Sequence, residues 1–144
     1  MRKIIVSGIG TGVGKTVVSA ILTMLLRGSY WKPIQCGDEE SSDTATLKAF
    51  DIPVFPSAYS LKAPLSPHHA ARLENISIDL DSIKLPETRE SLIIESVGGV
   101  FVPLTSKILT IDLFKKWDCE WMIVSKHYLG SINHTLLAIE ALKQ

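Results

Sequence analysis

The sequence predicts an α/β protein with a doubly wound, mainly parallel sheet flanked by helices. Three observations carry that expectation. Apolar runs of strand length alternate with runs of helical length, the pattern that builds parallel sheets. The first such run passes through a glycine-rich turn straight into a helix-like run. And 46% of the 144 residues are apolar, enough for a real core in a single domain, 1–144.

Residues 3–7 read as a buried strand, because Ile4, Ile5 and Val6 are consecutive apolar residues rich in β-branching. The turn that follows is Gly8-Ile9-Gly10-Thr11-Gly12-Val13-Gly14-Lys15-Thr16. Glycines let a backbone turn tightly and aim its N–H groups at an anion. The helix behind them adds free N–H groups and the positive end of its dipole. A lysine and a threonine at its start then have clear tasks. Lys15 reaches β- and γ-phosphates, and the Thr16 hydroxyl ligates Mg²⁺. The spacing departs from the usual pattern, since Ile9 stands five positions before Gly14, where a glycine is usual. A plain glycine-rich turn with an exposed lysine accounts for Gly12 and Gly14 but gives no reason for Lys15-Thr16. The context of strand, glycine loop, Gly-Lys-Thr and helix is that of a P-loop nucleoside-triphosphatase fold.

Residues 15–27 read as a helix. Its apolar positions cover almost the whole circumference, so burial on most sides is expected. Gly28-Ser29 ends it. Residues 30–35 read as a second strand containing Lys32 and Pro33. Proline disfavours the middle of a sheet, which places Lys32 at the strand's carboxyl end, where ligands of such sheets bind; a surface lysine on an edge strand is the alternative. A polar loop, 36–42, then leads to a helix over 43–50, capped by Ser41 or Ser42. Asp43 in its first turn suits either the helix dipole or a Mg²⁺ ion.

Five prolines punctuate residues 51–90, the least regular part, where 76–85 read as a linker with one short turn. A helix is expected after Ser66-Pro67. His68 and His69 are adjacent, so they point apart on a helix and lack metal-ligand spacing. Residues 91–95 read as a strand carrying Glu95 at its end, before Ser96-Val97-Gly98-Gly99. A carboxylate there suits the organisation of Mg²⁺, and the glycines allow close approach to a ligand. A strand-end glutamate with a glycine turn is the plainer reading. A short helix over 110–117, a strand over 121–124 and a last helix ending near Lys143 follow, the last after Leu129-Gly130-Ser131-Ile132-Asn133-His134. Ser131 or Asn133 suits its cap, and its amino end could face an anion. Four strands are few for this fold, and a further one is expected after the last helix.

The bulk properties narrow the function classes. Fifteen basic and fifteen acidic residues cancel, so no nucleic-acid face is indicated. The longest apolar run is too short to span a bilayer. Two cysteines make no disulfide scaffold and point to the cytoplasm.

Several stretches together resemble dethiobiotin synthetases. They are the loop 8–16, Lys32-Pro33-Ile34 followed by Gly37, Asp43, Ser66-Pro67-His68, Glu95 with Gly98-Gly99, Val102-Pro103-Leu104, and Leu129 to His134. The resemblance covers essentially the whole chain. It implies ATP- and Mg²⁺-dependent ring closure of 7,8-diaminopelargonic acid with CO₂ to dethiobiotin, ADP and phosphate, in a homodimer. By the resemblance, Lys32 and Lys15 are catalytic. Thr11, Gly12, Val13, Gly14, Lys15, Thr16, Val17, Asp43, Glu95, Ser96, Val97 and Gly98 lie along the nucleotide. Thr16, Asp43 and Glu95 hold the metal. Cys36, Gly98, Gly130, Ser131 and Asn133 bind substrate, the last three across the dimer interface. Family members often carry an acidic residue where Gly12 stands and a serine where Cys36 stands. They also continue with elements that read adenine, so the chain is expected to be truncated at its C-terminus. A nucleotide-binding remnant without catalysis, or a regulatory ATPase like MinD and ParA, is the alternative. The latter carry a second lysine early in the loop, and Ile9-Gly10-Thr11 has none.

Overall fold

The structure, a computed structural model, describes residues 1–37, 40 and 42–143. Strand β1 (Lys3–Gly8) delivers the glycine loop to helix α1 (Lys15–Leu26). Strands β2 (Ser29–Trp31) and β3 (Ile34–Cys36), helix α2 (Asp43–Lys48), strands β4 (Val54–Phe55) and β5 (Tyr59–Leu61), and helix α3 (Pro67–Leu73) follow. Strand β6 (Leu92–Gly99), helix α4 (Thr110–Phe114), strand β7 (Glu120–Val124) and helix α5 (Ser131–Lys143) complete the order. Five strands form one sheet in the order β4-β2-β6-β1-β7, and every neighbouring pair in it is parallel. A parallel sheet with a layer on either side is the expected fold class.

The period of two in β1 and β6 divides the core. Ile4, Val6 and Ile93 face α1 and pack against Val13, Val18, Leu22 and Leu26. Ile5, Leu92 and Ile94 face the other way, into a larger cluster with Leu113 and Phe114 of α4 and Ala70 and Ala71 of α3. Strands buried on both faces need such continuous apolar runs.

Several expectations are corrected. The strand expected over 30–35 is two strands. β2 belongs to the main sheet, and β3 pairs with β5 in a separate parallel ribbon. Pro33, which offers no N–H to a ladder, lies at the break. The proline-rich region holds two strands, β4 and β5, that the sequence did not announce. Residues 76–85 are no free linker, because Ile78, Leu80 and Ile83 are buried in the larger cluster. Helix α1 is not buried on most sides. Its buried residues are Lys15, Ser19 and Thr23, spaced by one turn, whereas Val17, Ile21, Met24 and Leu25 are exposed. Small side chains facing the sheet let the helix lie close to it, and apolarity alone did not reveal which face that is.

Ser42 caps α2, its side chain accepting a hydrogen bond from the Ala45 N–H; Asp38, Glu39 and Ser41 of the preceding loop lie outside the described residues. Ser66 stands at the N-cap of α3 with Pro67 at its start. Helix α5 begins at Ser131, with Gly130 before it at φ 98° and Asn133 inside its first turn. No helix is long and apolar enough to cross a membrane, among the described residues.

Candidate nucleotide and phosphoryl-transfer site

The carboxyl ends of β1, β2 and β6 open on a cavity of about 810 Å³. Its walls come from the glycine loop, the start of α1, the segment after β2, the start of α2 and the end of β6. The loop adopts the conformations glycine permits, with Gly12 at φ 69° and Gly14 at φ 102°. At the loop's base, Gly8 could not carry a side chain, because a Cβ there would stand 2.7 Å from Val13 Cγ2.

Lys15 is buried and its Nζ donates to the Gly10 carbonyl oxygen at 2.9 Å. Burial lowers its pKa, and the nearby Glu95 and Asp43 charges oppose that shift. Lys32 follows β2 directly at its carboxyl end, as its proline neighbour suggested. Since β2 is internal, Lys32 is buried rather than a surface lysine on an edge. Its ammonium pairs with Asp43 Oδ2 and lies 3.5 Å from Glu95 Oε1.

The Thr16 hydroxyl links the two carboxylates. It donates to Asp43 Oδ1 at 2.5 Å and stands 3.3 Å from Glu95 Oε1. Burial pushes the Asp43 carboxyl up, but the charge of Lys32 and hydrogen bonds from Lys32 and Thr16 outweigh it, leaving a pKa below the ordinary value. Glu95 shifts the opposite way. It is 1% exposed, and burial, helped by Asp43, prevails over the opposing charges of Lys32 and Lys15. The buried hydroxyl of Ser19 favours the charged form of Glu95 without meeting hydrogen-bond geometry.

Glu95 was expected at the end of its strand, but β6 runs on to Gly99. The neighbouring β2 stops at Trp31, opposite Ile94. Glu95 is therefore the first residue of β6 beyond the end of β2, and that gap is where its side chain meets Lys32 and Thr16. One partner of Glu95 was not anticipated from the sequence. Tyr30, fully buried, donates its phenol hydrogen to Glu95 Oε2 at 3.1 Å. Burial, with the charges of Glu95 and Asp43, pushes the Tyr30 hydroxyl far above its ordinary pKa, so it stays a donor.

Of the residues singled out in the sequence, Thr11, Gly12, Gly14, Lys15, Thr16, Val17, Lys32, Cys36, Asp43, Glu95, Val97 and Gly98 line this one cavity. Val13 packs its side chain into the α1 face of the core. Ser96 is buried, its hydroxyl donating to Ser7 Oγ at 2.9 Å. Both can reach a ligand only through main-chain groups. Gly130, Ser131 and Asn133 are not among the cavity's lining residues. The Cys36 thiol is half-buried, and burial, partly opposed by Lys32, raises its pKa to about 11. Among the described residues no cluster of three His, Cys, Asp or Glu side chains could hold a metal alone. One hydroxyl and two carboxylates meeting at Thr16 are hard oxygen donors. They fit the way Mg²⁺ is held, by one or two carboxylates together with substrate phosphates.

The arrangement can therefore hold a polyphosphate against the loop amides and Lys15 and organise a divalent cation, and it offers a second buried cation, Lys32, in the same cavity. Residues 2–144 match the family described as an AAA domain. The chain is 51% identical over 144 residues to the ATP-dependent dethiobiotin synthetase BioD of Chlamydia pneumoniae, covering 99% of this chain and 66% of the relative. It is 51% identical over 142 residues to that of Christiangramia forsetii, covering 96% and 68%. Against the Agrobacterium fabrum protein the identity is 44% over 145 residues, covering 98% and 68%. The chain thus spans about two thirds of the length of these relatives. With that sequence likeness and a nucleotide-type cavity at the ends of a parallel sheet, the chain belongs to the dethiobiotin synthetase family of ATP-dependent ligases.

Proposed function

We propose that this chain closes the ureido ring of dethiobiotin from 7,8-diaminopelargonic acid, CO₂ and ATP, in biotin biosynthesis. The observation that carries this reading is Lys32, a lysine buried between Asp43 and Glu95 and sharing one cavity with Lys15 and Thr16. A second buried cation beyond the loop suits a reaction in which an acceptor anion meets the γ-phosphoryl group.

One amine nitrogen of the substrate adds to CO₂ and loses a proton, giving a carbamate. A carbamate oxygen attacks the γ-phosphorus, and the bond to the leaving ADP breaks. The second amine nitrogen attacks the carbonyl carbon of the resulting mixed anhydride. The carbon–oxygen bond breaks, phosphate leaves, and the ring closes with loss of a proton. Little of this needs covalent help; positioning and charge stabilisation suffice.

The loop amides of Thr11 to Thr16 and the Lys15 ammonium hold the phosphates. Val17, Ser96, Val97 and Gly98 lie along the nucleotide. Lys32 balances charge on the carbamate and on the phosphoryl group in transit. Thr16, Asp43 and Glu95 hold Mg²⁺, which supplies neutralisation of phosphate charge when bound. Cys36 and Gly98 contact the substrate. Gly130, Ser131 and Asn133 of a second copy bind its carboxylate, a homodimer role supported by the exposed apolar Leu129, Ile132 and Leu136 beside them. Two free cysteines support a cytoplasmic setting.

Phosphate release from Mg²⁺-ATP and bicarbonate, with and without the diamine, tests the reading. Diamine-dependent release, a product with the mass of dethiobiotin and loss of both in Lys32→Ala support it. Phosphate release without diamine dependence, from folded protein, overturns it.

A further inference from the structure

The two oxygens of Glu95 have different surroundings. Oε1 faces the cavity, 3.3 Å from the Thr16 hydroxyl and 3.5 Å from Lys32 Nζ. Oε2 turns inward and accepts the 3.1 Å hydrogen bond from Tyr30. We propose that Tyr30 is a positioning residue for Glu95, its phenol fixing Oε2 so that Oε1 is presented to the cation of a bound nucleotide. This rests on the reading that Thr16, Asp43 and Glu95 hold Mg²⁺.

The strand register makes the contact. Tyr30 stands opposite Ile93 in the parallel pair of β2 and β6. Side chains two apart on a strand share a face, so Glu95 lies on Tyr30's side of the sheet and one step nearer the cavity. The ring cannot turn away, because Leu47, Ile52, Ala20 and Val54 enclose it and none of it is exposed. A phenylalanine would fill that space equally well. A buried hydroxyl is costly unless it is hydrogen-bonded, and Glu95 is where this one is bonded.

Glu95 needs such a partner. The terminal torsion of a glutamate is broad, so a buried carboxylate held from one side can rotate. Both of its bonds on the cavity side are long, and both Thr16 and Lys32 are also engaged by Asp43. The Tyr30 bond is the shortest of the three and comes from the most rigid donor. Outer partners of metal-binding side chains orient them, and removing one weakens metal binding by about 10- to 100-fold.

The test compares the wild-type chain with Tyr30→Phe, using an ATP carrying a fluorescent ribose label. Binding is titrated without metal and at rising Mg²⁺ concentrations, and unfolding is followed without ligand. The expected result is a folded variant with unchanged metal-free nucleotide affinity. Its Mg²⁺ half-saturation is raised about tenfold. In a Glu95→Gln background the same Tyr30→Phe change has no further effect. An unchanged Mg²⁺ half-saturation in Tyr30→Phe overturns the proposal while leaving the metal reading standing. So does an equal effect in the Glu95→Gln background, or a variant that is unfolded without ligand. Mg²⁺-independent binding by the wild-type chain instead overturns the metal reading itself.

Discussion

Lys32 Nζ and Glu95 Oε1 face each other across 3.5 Å with their side chains 7% and 1% exposed. Both are largely withdrawn from water, so each depends on the other for compensation. Breaking such a pair leaves a buried charge uncompensated.

Lys32→Met should therefore cost about 3 kcal/mol of stability near neutral pH, besides abolishing turnover. The pH dependence has a definite sign. The folded-state pKa of Glu95 is already raised, so its protonated form favours the fold and stability falls as pH rises through that pKa. Without Lys32 the raised pKa moves higher still. Acidification from neutral should then restore part of the lost stability in Lys32→Met, as read by denaturant unfolding at a series of pH values. In the wild-type chain Asp43, whose folded pKa is depressed chiefly by Lys32, acts the other way: its contribution is present above the ordinary carboxylate pKa and is lost on acidification below it, and Lys32→Met removes most of it.

Cys36 should be a slow nucleophile although it lines the cavity. With its pKa at about 11, only a small part is thiolate at pH 8. Alkylation by iodoacetamide, followed by mass spectrometry, should be about 100-fold slower than for an unperturbed thiol. The rate should rise with pH towards the raised pKa, and bound nucleotide and diamine should suppress it further. A rate already level at pH 9 would count against the burial argument.

Gly28 lies far from the cavity and is tightly confined. A Cβ there would stand 2.3 Å from the Ser91 carbonyl oxygen, which is main chain and cannot swing aside. Gly28→Ala should lower stability by about 2 kcal/mol, visible as a lower unfolding temperature. Nucleotide affinity of the folded fraction should be unchanged. Gly14→Ala should lower nucleotide affinity as well as stability. Nothing lies within 4 Å of its Cβ, but φ 102° strains any side chain and distorts the loop that holds the phosphates.

The homodimer reading singles out Ile132, 77% exposed on the first turn of α5. Ile132→Glu should shift the chain from dimer to monomer in sedimentation velocity. It should raise the KM for the diamine while leaving ATP affinity close to that of the wild type. A chain that is monomeric before mutation would refute the reading.

Much of the site was legible because its residues sit at punctuation. Gly12 and Gly14 mark a turn, Pro33 marks the end of β2 and so places Lys32, and Glu95 interrupts an apolar run. Tyr30 carried no such mark. Inside a strand a tyrosine reads as filler, and only the offset between β2 and β6 shows what its hydroxyl meets. The buried face of α1 was missed for a related reason, since Ser19 and Thr23 are polar by type but small enough to pack on the sheet. Strands β4 and β5 escaped because two and three residues between prolines leave too little pattern to count.

The bond from Lys15 to the Gly10 carbonyl makes the glycine loop its own first guest. A phosphate entering the loop does not mould a slack segment; it displaces an internal tenant from a seat already shaped. Little chain entropy is then lost at the moment of capture. The exchange would free a single carbonyl, that of Gly10. Recognition at this end of the cavity then becomes a substitution of one partner for another rather than the ordering of a loop.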